Sequence, residues 1–282
     1  MATVTATLPT EKVLFVIFKG TSYILDFLNW NLELDYTVTA DKDFFAHRGA
    51  AGTLLNARFL KNDAFLKRLR SERANGVRKV VFTGHSLGGM YAQMSLYLAW
   101  RSLTSPEPSD EKALLESVDL RCFVFGSPMV FGGSSQQANE FRTFAQRCAL
   151  NYIHADDPCA RAWGAINLRQ FVQQASLAAR KGLTNELGGI KGSIVSGVVD
   201  GMASTMMNRP DFSLIEDFAR KYEHFLPLKV LSTKRPSASA CWKEFNLTSK
   251  CFMDHNIENY VDKLYDALDD SRPECYVHST MP

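Results

Sequence analysis

The chain has 282 residues, 46% hydrophobic and 22% charged, which is ordinary for a globular protein and long enough for one substantial core. Thirty-two basic and 30 acidic residues leave a formal net charge of +2, so we expect no nucleic acid or other strong polyelectrolyte partner. The six cysteines form no C-x-x-C pair, which favours a reduced, cytoplasmic protein, although Cys241 and Cys251 could bridge in an oxidising compartment.

The N-terminal segment predicts a buried strand and a glycine turn. Residues 1–12 lack the basic and apolar regions of a secretory signal, and whether further sequence precedes them is left open. Residues 12–18 form a continuous apolar run, typical of a strand covered on both faces, and Thr21 follows in the next turn. The mixed apolar segment 24–34 fits either a lid over an apolar site or a plain core helix.

Residues 53–73 have the apolar spacing of one amphipathic helix with a cationic outer face. Such a face is most simply a solvated surface. The sharper alternative is contact with an anionic membrane or lipid-droplet surface.

The pentapeptide Gly84-His-Ser-Leu-Gly88 follows a short apolar strand at 80–82 and precedes an apolar helix at 87–100. This is the G-x-S-x-G nucleophile elbow in the context that α/β-hydrolases give it. The serine sits on a sharp turn, and a larger side chain two positions away would collide with the neighbouring strand or helix. The motif therefore predicts Ser86 as a nucleophile.

The later elements alternate between strands and helices. We predict a loop at 102–112, a strand at 121–125, a helix at 139–146, and strands at 148–154 and 228–233. Alternation of this kind predicts an α/β fold with a mainly parallel sheet flanked by helices, in one domain over 1–282. Ligands of such sheets bind outside the carboxyl ends of the strands, where Thr21, Ser86 and Asp157 would lie.

Residues 162–220 interrupt this alternation. A helix is predicted at 166–181, and between 189 and 206 a stripe of small residues runs beside a stripe of apolar ones, each repeating every four positions. Small residues at this spacing permit close helix packing, but the segment is too short and polar for a transmembrane prediction. We interpret it as an inserted helical cap rather than a membrane-inserting element.

A serine nucleophile needs a base, and the base needs an acid to orient it. In α/β-hydrolases the three occur in the order Ser, Asp/Glu, His. The six histidines are His47, His85, His154, His224, His255 and His278. We prefer His255, in a loop before an amphipathic helix, because His47 and His154 precede the acid, His85 is expected to point away, His224 fits a structural role and His278 lies in the tail.

Asp157 ends a strand and Pro158 fixes its exit. Asp156 is a close alternative at this point, because adjacent residues at a strand end point in opposite directions. The oxyanion hole is predicted to use the backbone N–H groups of Leu87 and Thr21.

The sequence resembles the class 3 lipases, fungal lipase-like α/β-hydrolases, from Val13 to about Leu264. The matching motifs are the oxyanion loop ending at Thr21, the elbow Thr83-Gly-His-Ser-Leu-Gly-Gly89, the F-G-x-P strand end at 125–128, and the D-H-x-x-x-x-Y element at 254–260. Asp157-Pro-Cys-Ala-Arg161 is similar to D-x-V-P-R, and this resemblance selects Asp157 as the acid. Cys159 and Ala160 depart from that pattern, which leaves the shape of this loop open.

The resemblance implies a serine carboxylic-ester hydrolase acting on tri- or diacylglycerol, with a lipid ester as substrate and without a metal or organic cofactor. The position of the insertion, shared with sn-1 diacylglycerol lipases, makes a diacylglycerol substrate plausible. The alternatives are a catalytically idle lipase-like signalling or scaffold protein, and a phospholipase or an esterase of soluble esters. Acyl-chain and positional specificity and the oligomeric state stay open.

Overall fold

The computed structural model describes residues 2–8, 11–20, 36–37, 43–56, 63–155, 157–161, 212–231 and 254–269, with isolated positions between 169 and 210. The predicted lid segment 24–34 and most of the predicted cap 162–220 lie outside the described residues. So do Thr21, Asp156, Cys241, Cys251 and His278.

The strands are β1 (Ala2–Thr7), β2 (Lys12–Phe18), β3 (Tyr36–Thr37), β4 (Phe44–Ala46), β5 (Lys79–His85), β6 (Asp119–Phe125), β7 (Phe131–Gly133), β8 (Ala149–Ile153), β9 (Tyr222–Glu223) and β10 (Leu228–Val230). The helices are α1 (Arg48–Asn56), α2 (Asp63–Ala74), α3 (Leu87–Thr104), α4 (Asp110–Glu116), α5 (Gln136–Cys148), α6 (Phe212–Ala219) and α7 (Ile257–Asp269), and a 3₁₀ turn spans Cys159–Arg161.

Six strands form the main sheet of the described residues, in the order β1-β2-β5-β6-β8-β10. All neighbours pair in parallel except β1, which is antiparallel to β2. The predicted mainly parallel sheet with flanking helices is therefore confirmed. The sequence did not reveal β1, because its alternating threonines belong to a half-exposed edge strand, in which Val4 is 50% exposed, and not to a buried apolar run.

A second sheet, antiparallel and also unpredicted, has the order β3-β4-β7-β9. Its strands have only two or three residues each, too few to give a period-2 pattern. The aromatic rings of Phe44, Phe131 and Phe225 pack within 6.2 Å of one another, centroid to centroid, and hold this sheet against α3 and α5 through Tyr97 and Phe141.

Two helical predictions need correction. The single helix expected at 53–73 corresponds to α1 and α2, with 57–62 outside the described residues. The loop expected at 102–112 is shorter, because α3 runs to Thr104 and Ser109 caps α4 by accepting from the Lys112 N–H. On α2, Phe65, Leu66 and Leu69 are buried as predicted. Within the described part of the chain, none of the helices has both the length and the apolarity needed to cross a bilayer.

Candidate active site

The turn between β5 and α3 places Ser86 at the carboxyl end of the main sheet. Ser86 has φ 57° and ψ −128°, a left-handed backbone conformation that L-residues rarely adopt, and it is 3% exposed. A Cβ on Gly84 would lie 2.4 Å from the carbonyl carbon of Gly88, and a Cβ on Gly88 would lie 2.2 Å from the Phe18 carbonyl oxygen, so neither glycine can be replaced without a shift of the surrounding backbone. This is the elbow geometry that the sequence predicts.

The end of β2 runs directly over the elbow. A Cβ on Gly20 would lie 2.6 Å from the His85 carbonyl oxygen and 3.5 Å from the Ser86 Cβ. Leu87, the first residue of α3, is buried beside the serine. Thr21, the other residue predicted for the oxyanion hole, lies outside the described residues, but the glycine before it is packed against the elbow.

The structure brings Asp157 and His255 together although they are 98 positions apart in the chain. The Asp157 side chain is fully buried, and both of its carboxylate oxygens lie 2.9 Å from His255 Nδ1. The Cys159 N–H donates to Oδ1 at 2.7 Å, and the Tyr260 hydroxyl donates to Oδ2. Together with His255 Nδ1, the Cys159 N–H and the Tyr260 hydroxyl therefore give the carboxylate three donors, which fix its position.

This environment favours the protonated imidazole. Burial works to lower the pKa of His255, but attraction to the Asp157 carboxylate and the nearby Cys159 sulfur outweighs it, and the pKa of His255 lies well above its ordinary value. Burial, and then the same carboxylate, raise the pKa of Tyr260, which stays a neutral donor. An imidazole in this position can accept a proton and keep the resulting charge stabilised.

Cys159 lies between the serine and the histidine. Its Sγ is 3.8 Å from Ser86 Oγ, and it belongs to a group with Asp157 and His255 whose possible ligand atoms all lie within 4.8 Å of one another. Burial raises the pKa of the Cys159 thiol. Among the described residues, the hydrogen-bond partner of the Ser86 hydroxyl is this thiol and not the imidazole. The three residues also form the one group of described side chains suited to a metal ion.

The prediction that His85 points away from the site is wrong. Its ring stacks on His255, with centroids 4.5 Å apart and an interplanar angle of 30°. Burial, followed by repulsion from a protonated His255, lowers the pKa of His85 to about 4, so it is neutral at pH 7. Its Nε2 is buried without a hydrogen-bond partner among the described residues, so this histidine lacks the acid that would orient a base.

His224 and His154 make contacts that support the backbone around the site. His224 Nε2 contacts the Ala160 carbonyl at 2.7 Å, and burial lowers its pKa to about 4, which agrees with the predicted structural role. His154 follows β8, and its N–H donates to the Tyr260 hydroxyl at 3.0 Å while its ring contacts the Asp254 carbonyl at 3.3 Å. His154 thereby ties the loop that carries His255 to the end of β8.

Sequence reasoning missed two residues that shape the acid. Tyr260 was recognised as part of the D-H-x-x-x-x-Y element, but nothing in the pattern says that its hydroxyl binds Asp157. Gly126 has φ +52°, and a Cβ there would lie 2.2 Å from Asp157 Oδ2 and 2.7 Å from the Tyr260 hydroxyl. The glycine of the F-G-x-P strand end was the signal, because a glycine after a strand leaves room for a close neighbour.

A family model described as lipase (class 3) matches residues 15–166, more than half of the chain. The chain belongs to the class 3 lipase family. The matched region contains the elbow and Asp157, while His255 lies beyond it. Together with the sheet topology, membership gives the α/β-hydrolase fold.

Solved structures of fungal lipases are similar to this family member. The chain is 20% identical to the Rhizomucor miehei lipase propeptide complex over 56% of this chain and 46% of that one, with a TM-score of 0.37. The mono- and diacylglycerol lipase from Aspergillus oryzae is 21% identical over 53% and 48%, with a TM-score of 0.35. A variant of MDLA from Penicillium cyclopium is 14% identical over 84% and 62%, with a TM-score of 0.41.

The chain spans about half the length of the first of these structures. A search of curated proteins found no match.

Proposed function

We propose that this class 3 lipase family member is a serine carboxylic-ester hydrolase acting on acylglycerols, with Ser86, His255 and Asp157 as its catalytic triad. The observation that carries the proposal is the fully buried Asp157 carboxylate held 2.9 Å from His255, whose ring stacks against the elbow residue next to Ser86. A neutral imidazole oriented by a buried carboxylate beside a strained serine is suited to remove the serine proton, and the carboxylate stabilises the imidazolium that forms.

In the proposed reaction, Ser86 Oγ attacks the ester carbonyl carbon as His255 takes the hydroxyl proton. His255 then gives this proton to the leaving alcohol, and the acyl group stays on Ser86. A water molecule, deprotonated by His255, attacks the acyl-enzyme, and the proton returns to Ser86 as the fatty acid leaves. Asp157 stays ionised throughout and stabilises the imidazolium.

The oxyanion of both tetrahedral intermediates would accept hydrogen bonds from the N–H groups of Leu87 and Thr21. The position of Leu87, first in α3 and directly after Ser86, supports its part in this proposal. The close packing of Gly20 against the elbow supports the part of Thr21, the next residue.

Membership in a family described as lipases supports an acylglycerol substrate. The position of the 162–220 segment, shared with sn-1 diacylglycerol lipases, supports a diacylglycerol within that class. We further propose peripheral contact with a membrane or lipid droplet through the exposed cations of α2, including Lys67, Arg68 and Arg70. Vesicle flotation tests this part: binding should need anionic lipid and should fall when these three residues are changed to Gln. Equal flotation with neutral vesicles would contradict it.

One observation favours the alternative of an idle, lipase-like scaffold, namely the contact of the Ser86 hydroxyl with Cys159 in place of His255. Hydrogen bonds of catalytic groups are often long or poorly aligned before substrate binds, so this contact is compatible with catalysis too. A phospholipase or soluble-ester hydrolase would use the same residues and would differ only in its substrate.

Purified protein should be assayed with tri-, di- and monoacylglycerols, phospholipids and a soluble ester, beside its Ser86→Ala variant. We expect hydrolysis, fastest with diacylglycerol, and a loss of ~10⁶-fold in kcat for the variant with unchanged circular dichroism. Ser71→Ala, at an exposed serine of α2, is the matched control and should keep the wild-type rate. Equal turnover by wild type and Ser86→Ala would reject Ser86 as the nucleophile, and no turnover of any ester would favour the scaffold.

A further inference from the structure

Cys159 adds a soft ligand to an acid and a base that are already assembled. We propose that Asp157, Cys159 and His255 bind a thiophilic divalent cation, with Zn²⁺ as the representative ion, and that the bound ion switches off the hydrolase. The possible ligand atoms of these residues all lie within 4.8 Å of one another. A carboxylate oxygen, a thiolate and an imidazole nitrogen are the three kinds of ligand that zinc takes in proteins.

The distances fit a three-ligand zinc site after small movements. Bond lengths of ~2.0–2.3 Å place tetrahedral ligand atoms roughly 3.3–3.7 Å apart. The contact between His255 Nδ1 and Asp157, now 2.9 Å, must open by a few tenths of an ångström, and no separation in the group needs to close by more than about 1 Å. A rotation of the imidazole and of the Cys159 side chain supplies movements of this size.

Two of the three ligands are held in place by other groups. The Cys159 N–H donates to Asp157 Oδ1, which fixes the residue that bears the thiol to the carboxylate two positions earlier. Tyr260 donates to the other oxygen and supports the carboxylate as an outer partner. Partners of this kind orient metal ligands and raise affinity.

The ion has a route to the group through His255. The Asp157 side chain is fully buried, but the His255 side chain is 20% exposed, so a small rotation of the imidazole opens the group to solvent. The fourth coordination position would be left to water or to Ser86 Oγ, which lies 3.8 Å from the thiol.

The thiol distinguishes this chain from the pattern that it resembles. In the D-x-V-P-R pattern the corresponding position is valine, which has no atom that can ligate a metal. The site is therefore a consequence of one residue of this sequence and not of the α/β-hydrolase fold.

The proposed inhibition of the hydrolase by the bound ion rests on the proposed function. A bound ion would occupy the His255 nitrogen and the Asp157 oxygen, so the imidazole could neither be oriented nor accept the Ser86 proton. Binding releases to solvent the Cys159 proton and, where His255 is protonated, the proton on its ligating nitrogen, so that a thiolate and a neutral imidazole are left on the metal. No bond of the protein is broken, and a chelator should restore activity.

The first measurement is binding alone. Metal-free wild type, Ser86→Ala, Cys159→Val and Cys148→Val would be titrated with Zn²⁺ in competition with a chromogenic indicator. Cys148 is a second buried free thiol, at the end of α5, and serves as the matched control. We expect one tight ion in wild type, Ser86→Ala and Cys148→Val, and an affinity lower by about 100-fold in Cys159→Val. Equal affinity in Cys159→Val and wild type would overturn the proposal.

The second measurement is function, each protein being compared with its own metal-free rate. Zn²⁺ should inhibit wild type and Cys148→Val, EDTA should reverse the inhibition, and Mg²⁺ should have no effect because it prefers oxygen ligands. Cys159→Val should resist Zn²⁺, and Cys159→Ala would replace it if valine impairs folding. If the protein binds one Zn²⁺ but hydrolyses no ester, the proposed function is refuted and the proposed metal site still stands. If the protein hydrolyses esters at a rate that Zn²⁺ does not change, inhibition by the bound ion is refuted and the proposed function still stands.

Discussion

The two halves of the candidate site are built in different ways. Ser86 is positioned by its own neighbours in sequence, through a strained backbone and two glycines, Gly84 and Gly88, at which an added Cβ would clash with nearby backbone atoms at 2.4 Å and 2.2 Å. Asp157 and His255 come from segments 98 positions apart, and side-chain hydrogen bonds join them. The elbow is thus a local device encoded by a pentapeptide, whereas the acid–base pair depends on the whole fold.

This difference predicts where the site is vulnerable. The elbow is fixed by backbone geometry, which single side-chain changes outside its glycines cannot easily remove. The acid–base half depends on individual groups, chiefly the Tyr260 hydroxyl and the space above Gly126. Substitutions in the second half should therefore disturb catalysis while the fold stays intact.

The largest effect is expected for Asp157→Asn, which keeps the shape of the side chain but removes the charge that orients His255. We expect kcat to fall by ~10⁴-fold, as for the equivalent change in a serine protease triad. Asp217→Asn is the control, since that side chain is 69% exposed on α6. A loss of less than tenfold would contradict the assignment of the acid.

The same variant changes the pH profile of kcat/KM. Only neutral imidazole can accept the serine proton, so the wild-type rate should rise with pH through the raised pKa of His255. Without the carboxylate, burial lowers the pKa of His255, and the rise should move to lower pH. An unmoved profile would show that the pair does not set the titration.

The pair also links stability to pH in a defined direction. Because the folded pKa of His255 is raised, its contribution to the free energy of unfolding is complete below the unfolded pKa of ~6.5 and is lost as pH rises through the folded value. Urea unfolding at several pH values should therefore give a wild-type excess over Asp157→Asn that shrinks toward alkaline pH.

The next effect is that of Gly126→Ala. The new methyl group would lie 2.2 Å from Asp157 Oδ2 and must push the carboxylate away from His255. A displacement of this kind should lower kcat by ~10²-fold. Gly76→Ala controls for backbone strain, since Gly76 also has a positive φ, +97°, but the nearest heavy atom among the described residues, Lys12 Cδ, would be 3.9 Å from the Cβ. Equal activity losses in both variants would point to folding strain instead.

Tyr260→Phe should have a smaller effect, because it removes one of three donors to Asp157 and leaves the His154 N–H without its acceptor. Hydrogen bonds to charged groups contribute ~1.5–3 kcal/mol, so the free energy of unfolding should fall by about that amount. We expect a rate loss of about tenfold. Tyr265→Phe, at a 65% exposed position of α7, should change neither quantity. Indistinguishable behaviour of the two variants would remove Tyr260 from the site.

The smallest effect is expected at His85, where the two halves touch through stacked rings. Aromatic pairs contribute ~0.5–1.5 kcal/mol, so His85→Ala should slow hydrolysis by about two- to tenfold. His85→Phe keeps a ring over His255 and should stay within about twofold of wild type. A loss above ~10³-fold in both variants would make His85 itself a base.

The comparison also explains what the sequence could predict. The elbow, α3 and the central parallel strands follow from local apolar patterns, and Ser86 from a contiguous motif. The edge strand β1, the short strands of the second sheet and the separation of α1 from α2 leave little periodic signal. The stacking of His85 on His255 and the contact of Tyr260 with Asp157 arise only when distant segments pack together, so no local pattern predicts them. The glycine at 126 indicates a close neighbour but does not say which residue it is.

The most direct test of the central claim is covalent labelling with a fluorophosphonate, followed by mass spectrometry of the digested protein. A serine activated by His255 and Asp157 should carry a single adduct on the peptide that contains Ser86, and His255→Ala should label far more slowly. No adduct on a properly folded protein, or an adduct on Cys159 in place of Ser86, would contradict the account.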